Sequence, residues 1–234
     1  MLRVTDLSVV YPDGTIGIDN LSLSITDGES VALIGANGAG KTTLMLALEG
    51  VIPITRGEID LDGITLSKKT ISQIRSRVGM VFQNPDDQLF MASIYDDIAF
   101  GPRNAGLDES AIADKVEEVA HTLNISHMLK RSALKLSGGE KRLSAIASVL
   151  SMDPTVLLFD EPTAFLDMKA RRNLIGVLNA MRHTKLIASH DLTFIVETCA
   201  RAVIIKDGTV FADDAVCSII HNHDLMQSGG LEAI

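Results

Sequence analysis

The sequence predicts an α/β fold with a mixed, largely parallel sheet core, an N-terminal antiparallel β subdomain and an inserted α-helical subdomain. Three observations predict it. The 234-residue chain is 46% hydrophobic but only 4% aromatic, with no Trp, so its core is mainly aliphatic, as suits buried parallel strands. Continuous apolar runs, SVALIG (30–35), TVLLFD (155–160) and KLIASH (185–190), are separated by helical patterns, the alternation of a parallel α/β sheet. Between the first and second of these runs, from about Gln83 to Leu150, the pattern turns helical.

Each element follows in order. LRVTDLSVVY and IDNLSLSI alternate apolar and polar residues, as half-exposed antiparallel strands do. Asp-Gly pairs at Asp13-Gly14, Asp27-Gly28, Asp62-Gly63 and Asp207-Gly208 mark tight turns, and GEIDLDGITL reads as a hairpin about Asp62-Gly63. VGMVF reads as a buried strand leading into QNPDDQLF. There Pro85 keeps Asn84 out of helical geometry and suits a first helical position. Asn84 is then a cap, and Asp86 and Asp87 fall in a favourable first turn. DESAIADKVEEVAHTLNI places Ile112, Val116, Val119 and Leu123 at helical spacing, and SGGEKRLSAIASVLSM and MKARRNLIGVLNAM are further helices. RAVIIKDGTVFAD returns to strand, and the tail holds one helix, AVCSIIH. The expected organisation is one domain over 1–234, with a catalytic core from 1–83 plus 151–234. A helical subdomain occupies about 84–150, and a short tail about 213–234.

Composition narrows the function. A net charge of −9 and a pI near 5.1 argue against a nucleic-acid binder working by bulk charge. Cys199 and Cys217 lack metal-ligand spacing and are expected as buried or half-buried thiols of a reducing compartment. The N-terminus lacks a signal-peptide pattern, and no run reaches the roughly 18 apolar residues of a membrane helix. The expectation is a soluble, cytoplasmic chain that meets a membrane only through a partner.

Three motifs carry chemistry. GANGAGKT, Gly35 to Thr42, follows a buried strand and opens a helix, matching G-x-x-x-x-G-K-[ST]. Gly35, Ala36, Asn37, Gly38, Ala39 and Gly40 form a loop whose N–H groups converge on phosphates. Lys41 reaches the β and γ phosphates, and the Thr42 hydroxyl is placed for Mg2+. TVLLFDEP ends a strand in two acids: Asp160 suits the Mg2+ hydration shell, and Glu161 can orient and deprotonate a water. LSGGEKR puts the N-cap Ser137 and the N–H groups of Gly138 and Gly139 at a helix start, a second anion site. Two such sites on one chain argue for a head-to-tail dimer with ATP between the subunits.

The phosphate loop, a Gln after a strand, LSGGE, LLFDEP, FLD and ASHD occur in this order across essentially the whole chain. Together they resemble the ATPase subunit of ABC transporters, a P-loop NTPase family with a RecA-like core. The resemblance implies that Tyr11 stacks on adenine, that Thr43 joins the phosphate site, and that Gln83 contacts Mg2+ and the water and senses the γ-phosphate. It implies that Ser137, Gly138 and Gly139 touch the γ-phosphate of ATP on the other subunit. Asp167 then couples the two sites, and His190 contacts the γ-phosphate and holds the catalytic geometry. Two residues depart from the family pattern: Glu140 stands where Gln is usual, and Phe165 where a small residue is common. Neither removes a catalytic group, so ATP hydrolysis is expected, with little loss from Glu140.

The stretch VGMVFQNPDDQLFMASIYDDIAFGPRNAGL, with Asp97 to Pro102 reading D-I-A-F-G-P, is similar to the ATPases of energy-coupling-factor importers, particularly those for cobalt and nickel. Relatives of that type serve biotin and other vitamins, and that alternative stays open. The resemblance implies a second ATPase subunit, in a homodimer or heterodimer, and two membrane partners, a coupling subunit and a substrate-capturing subunit. The chain would then sit peripherally on the cytoplasmic face of the membrane. Leu89, Phe90, Met91 and Ile94 are candidates for an apolar surface receiving the coupling subunit, with Arg103 as a polar partner. The competing classes are a soluble ABC ATPase without a transport role, a phosphate-loop kinase and a non-hydrolysing nucleotide switch.

Overall fold

The computed structural model describes residues 1–232. In chain order the elements begin with β1 (Leu2–Val10), β2 (Ile16–Ile25), β3 (Ser30–Ile34), α1 (Lys41–Leu48), β4 (Arg56–Leu61) and β5 (Ile64–Thr65). There follow α2 (Ile71–Arg75), β6 (Val78–Val81), α3 (Ile94–Asn104), α4 (Glu109–Thr122), α5 (Gly138–Leu150), β7 (Val156–Asp160) and α6 (Met168–Ala180). The last are β8 (Thr184–Ala188), α7 (Leu192–Thr198), β9 (Arg201–Lys206), β10 (Thr209–Ala215), α8 (Val216–Ile220) and α9 (His223–Ser228).

The chain divides into two compact units. The first takes Met1–Met80, Thr155–Glu161 and the described residues from Arg182 onward. It holds a four-stranded sheet of order β2-β1-β4-β5, antiparallel throughout, and a six-stranded sheet of order β10-β9-β3-β8-β7-β6. β3 pairs in parallel with both β8 and β9, β7 in parallel with β8, and β10 antiparallel with β9. The burial patterns explain these roles: β1 alternates buried and exposed positions, whereas β3 is buried from Val31 to Ile34. The hairpin turns are left-handed at both residues, with φ of 53° and 80° at Asp62 and Gly63 and 49° and 75° at Asp207 and Gly208. Asp-Gly meets that requirement of a two-residue hairpin at little steric cost. Leu2, Val4, Leu7 and Val9 join Val31, Leu33, Leu44, Met45, Leu158, Leu186 and Val203 in one aliphatic core. Burial of each large side chain contributes about 1.5–3 kcal/mol.

Parallel pairing has one consequence for function. The carboxyl ends of β3, β7 and β8 lie on one edge, the edge where open α/β sheets bind ligands. Those ends are Ile34, Asp160 and Ala188, so Gly35, Glu161 and Ser189 leave the sheet side by side.

The second unit takes Val81–Pro154 and Pro162–Met181. The residues 162–181, expected within the core, therefore cluster with α5 instead. A side chain at Gly139 of α5 would place its Cβ 2.7 Å from the Cβ of Ala170 on α6, so the two helices approach as closely as glycine permits. Caps fix the helix starts. Ser93 accepts from Asp96 N–H, Asp108 from Ala111 N–H and Asp167 from Ala170 N–H. Ile112, Val116, Val119 and Leu123 are buried as their spacing predicts. The acidic helix after Gln83 is a single 3-10 turn, Pro85–Asp87, capped by Asn84. The tail holds a second helix, α9, that the sequence pattern did not reveal. Ala233 and Ile234, the end of the expected tail, lie outside the described residues. Cys199 is buried as expected, but Cys217 is exposed, because it occupies the outer face of α8, whose Val216, Ile219 and Ile220 turn inward.

Candidate functional site

In the first unit the loop Gly35–Gly40 joins β3 to α1. Gly40 caps α1 at φ 112°, and a Cβ there would lie 2.5 Å from the Gly17 carbonyl oxygen. Gly35 is equally constrained, its missing Cβ lying 2.4 Å from the Ile205 carbonyl oxygen. Ala36, Asn37 and Gly38 are exposed and Ala39 is buried. Lys41 curls over this loop, donating to the carbonyls of Gly35 at 2.6 Å and Ala36 at 3.0 Å. Burial lowers its pKa, and Glu161 and Asp160 oppose that shift, so the ammonium and both acids share one electrostatic site.

The Thr42 hydroxyl donates to Asp160 Oδ2 at 3.2 Å. Burial raises the Asp160 carboxyl above its ordinary range, and the Thr42 bond and Lys41 act in the other direction. A hydroxyl beside a carboxylate is a hard-oxygen donor set of the kind Mg2+ takes. No group of three or more His, Cys, Asp or Glu that would hold a metal occurs among the described residues. Tyr11 shares a 2.9 Å hydrogen bond between its hydroxyl and the Thr43 hydroxyl, which ties the ring to the first turn of α1.

Glu161 has φ 44°, a left-handed backbone that costs a non-glycine residue about 1–2 kcal/mol. Its N–H donates to the Ala188 carbonyl at 2.8 Å, which pins β7's end to β8. Oε2 accepts from the Ser189 hydroxyl at 3.2 Å and from the His190 N–H at 3.3 Å, and lies 2.8 Å from His190 Nδ1. The Glu161 side chain is 13% exposed and that of His190 is 82% exposed. Ser189, fully buried, is a partner of Glu161 that the motif reading passed over; a hydroxyl next to His190 at a strand end was the available signal. A cavity of about 500 Å3 is lined by Gly35, Ser189 and His190 together with Met226 and Leu231.

In the second unit Ser137 caps α5 through a reciprocal box. Glu140 N–H donates to Ser137 Oγ at 3.4 Å, while Glu140 Oε2 accepts from Ser137 N–H at 2.7 Å and from its hydroxyl at 2.8 Å. These bonds, that from the N–H first, lower the Glu140 pKa. The Glu140 carboxylate thus occupies the Ser137 donors. Phe165 has φ 64° and is 82% exposed, and its carbonyl oxygen lies 3.2 Å from where a Cβ of Gly138 would be. Asp167, as the cap of α6, accepts from Ala170 N–H at 2.7 Å. A cavity of about 620 Å3 is lined by Ser137, Gly139, Glu140, Asp167, Lys169 and Asn173 among others. Gln83 is exposed.

The predicted residues fall into two groups, one in each unit. Tyr11, Gly35–Thr43, Asp160, Glu161 and His190 belong to the first; Gln83, Ser137, Gly138, Gly139 and Asp167 belong to the second. The expected apolar docking surface needs correction. Leu89 and Ile94 are buried in the second unit, because Leu89 follows the 3-10 turn inward and Ile94 opens the packed helix α3. Phe90 is 63% exposed and meets Phe100 edge-on, with ring centroids 5.1 Å apart. The N–H groups of Phe90 and Met91 both donate to Oδ1 of the buried Asp97 at 3.0 Å. Arg103 is paired with Glu109 at 2.9 Å.

A G-x-x-x-x-G-K-T loop at a strand–helix junction and an acidic pair ending a parallel strand of the same sheet are the arrangement of a nucleotide triphosphatase. Residues 18–164 match the ABC transporter family, and the chain belongs to it as an ATP-binding ATPase. A putative ABC transporter ATP-binding protein of Geobacter sulfurreducens is 44% identical over 99% of this chain and 93% of its own length. The energy-coupling factor transporter ATP-binding protein EcfA of Carboxydothermus hydrogenoformans is 37% identical over 99% of this chain and 87% of its own. The structure of cbiO1 from Clostridium perfringens, part of the ABC transporter complex cbiONQ, superposes with a TM-score of 0.87 at 34% identity, over 97% of this chain and 93% of the other. No helix among the described residues is long and apolar enough to cross a membrane.

Proposed function

We propose that this chain is the ATP-hydrolysing subunit of an energy-coupling-factor importer, acting as a pair of copies on the cytoplasmic face of the membrane. The observation that carries the ATPase chemistry is the Glu161 site, a mostly buried carboxylate held through Oε2 by Ser189 and His190. Because those contacts share one oxygen, Oε1 is the atom assigned to the attacking water. Lys41 exchanges its loop carbonyls for β- and γ-phosphate oxygens, and the N–H groups of the loop at the start of α1 hold the phosphate chain. Thr42 and Asp160, with Gln83, would hold Mg2+, which supplies charge neutralisation on the phosphates. His190 keeps Glu161 aligned and faces the γ-phosphate, and Tyr11 stacks on the adenine. Ser137, Gly138 and Gly139 of one copy contact the γ-phosphate on the other, and Asp167 couples the two sites. ATP favours the closed pair and ADP does not, so turnover drives opening and closing.

The importer reading rests on the run from Asn84 to Pro102 and on the likeness to EcfA and cbiO1. Cobalt or nickel is the proposed cargo, captured by one membrane partner while a coupling partner meets the exposed Phe90–Phe100 pair. Coexpression with candidate coupling and substrate-capturing membrane subunits tests this. We expect copurification with a coupling subunit, loss of assembly in Phe90→Asp, and ATP-dependent uptake of radiolabelled cobalt or nickel. Uptake of a vitamin in place of metal overturns the cargo, and undiminished assembly of F90D overturns the docking surface.

A further inference from the structure

The Gln83 segment is fastened to α5 by side chains outside the motif roles. Arg142, on α5, is 1% exposed. Its Nη1 donates to the Phe82 carbonyl at 2.5 Å and its Nη2 to the Gln83 carbonyl at 2.7 Å, while Nε meets no partner among the described residues. Burial brings its pKa down to about 10, so it remains cationic at neutral pH. Burying a guanidinium costs desolvation, which its two charge-assisted hydrogen bonds to main-chain oxygens offset.

The peptide before it is held by a second side chain. Gln88 Oε1 accepts from the Phe82 N–H at 3.2 Å, and Gln88 Nε2 donates to the Ala145 carbonyl at 2.7 Å and the Ser148 hydroxyl at 3.0 Å. Lys141 donates to Asp86 at 2.6 Å. Arg142, Ala145 and Ser148 recur at a spacing of three, so they share one helix face. The first turn of that helix is the Ser137–Gly139 anion site. The planar fork of arginine spans two successive carbonyls, whereas lysine offers a single point charge.

We propose that Arg142 is a positioning residue: its fork fixes the Gln83 main chain on α5, so that Gln83 and the Ser137–Gly139 site move as one piece. The inference rests on the assignment of Gln83 to the γ-phosphate and its water. The test compares Mg-ATP turnover, KM for ATP and melting for the intact protein, Gln83→Ala, Arg142→Met, Arg142→Lys and the double variant R142M/Q83A. We expect Q83A and R142M each to lower kcat by about 10- to 100-fold, the scale of a misplaced group, with KM for ATP little changed. R142M should keep a cooperative melt, R142K should not restore kcat, and the double variant should be no slower than Q83A. Normal kcat in R142M beside an impaired Q83A would make Arg142 merely structural and overturn the inference. So would losses that multiply in the double variant. Normal kcat in Q83A would overturn the role of Gln83 itself, and the inference with it. If R142M fails to fold, R142K and R142K/Q83A carry the same comparison.

Discussion

The phosphate loop and the Ser137–Gly139 loop are both glycine-rich turns that open a helix, yet they are held differently. In the first unit the shape comes from main chain: Gly35 and Gly40 sit against the carbonyls of Ile205 and Gly17, and Glu161 is pinned to Ala188 by a strand-end hydrogen bond. In the second unit the shape comes from side chains. Glu140 ties down Ser137, Asp167 caps α6, and Arg142 with Gln88 grips the Gln83 segment. The first loop is thus shaped by its own main chain, whereas the second depends on single replaceable side chains.

This contrast sets the scale of each substitution. Glu161→Gln should have the largest effect, lowering kcat by about 10²- to 10⁴-fold, the usual worth of a general base, with ATP binding intact by equilibrium titration. A retained kcat would remove Glu161 from the chemistry. Gly139→Val should come next, because its Cβ would meet Ala170 at 2.7 Å. Overpacking of this kind costs about 1–3 kcal/mol, to be read as a lower melting temperature. Unchanged melting would show that α5 and α6 can part at no cost.

Glu140→Gln probes the side-chain-held loop more gently. It keeps an acceptor for Ser137 while removing a negative charge beside an anion site, a change worth about 0.3–1 kcal/mol. ATP should bind the pair about 2–5-fold more tightly, as measured by the ATP dependence of association; weaker binding would contradict the geometry.

The smallest functional effect should come from Glu49, at the C-terminal end of α1. Burial raises its pKa to about 7, only partly opposed by Arg75. Between the ordinary value of 4.5 and about 7 the folded protein holds a proton that the unfolded chain releases. Stability should therefore fall as pH rises through that window, with the full penalty above it. Glu49→Gln should flatten the fall, raising the melting temperature at pH 8 and leaving it unchanged near pH 4, while turnover stays the same. A parallel pH profile in the variant would refute the shift.

Much of this was legible in the sequence because it is local. The phosphate loop, the acids after TVLLF, the Asn84 cap and the Asp-Gly turns are each set by a few adjacent residues, and the apolar runs mark the central strands by composition alone. What was not legible depends on partners distant in sequence. Arg142 reads as an ordinary charge on a helix until its carbonyl partners, some 60 residues away, are known. Leu89 and Phe90 are neighbours of similar character, yet one is buried and the other exposed, a difference set by how the 3-10 turn enters α3. Placement of 162–181 with α5 follows from the Gly139–Ala170 contact, which strand–helix alternation cannot reveal.

The central claim is that Glu161 and the phosphate loop of one copy meet Ser137, Gly138 and Gly139 of another across ATP. Light scattering of E161Q tests it directly, because blocked hydrolysis leaves ATP in place. The account predicts monomers without nucleotide, dimers with Mg-ATP, and monomers again when Ser137→Arg is added to E161Q. A monomer in Mg-ATP, or a dimer indifferent to Ser137→Arg, would contradict it.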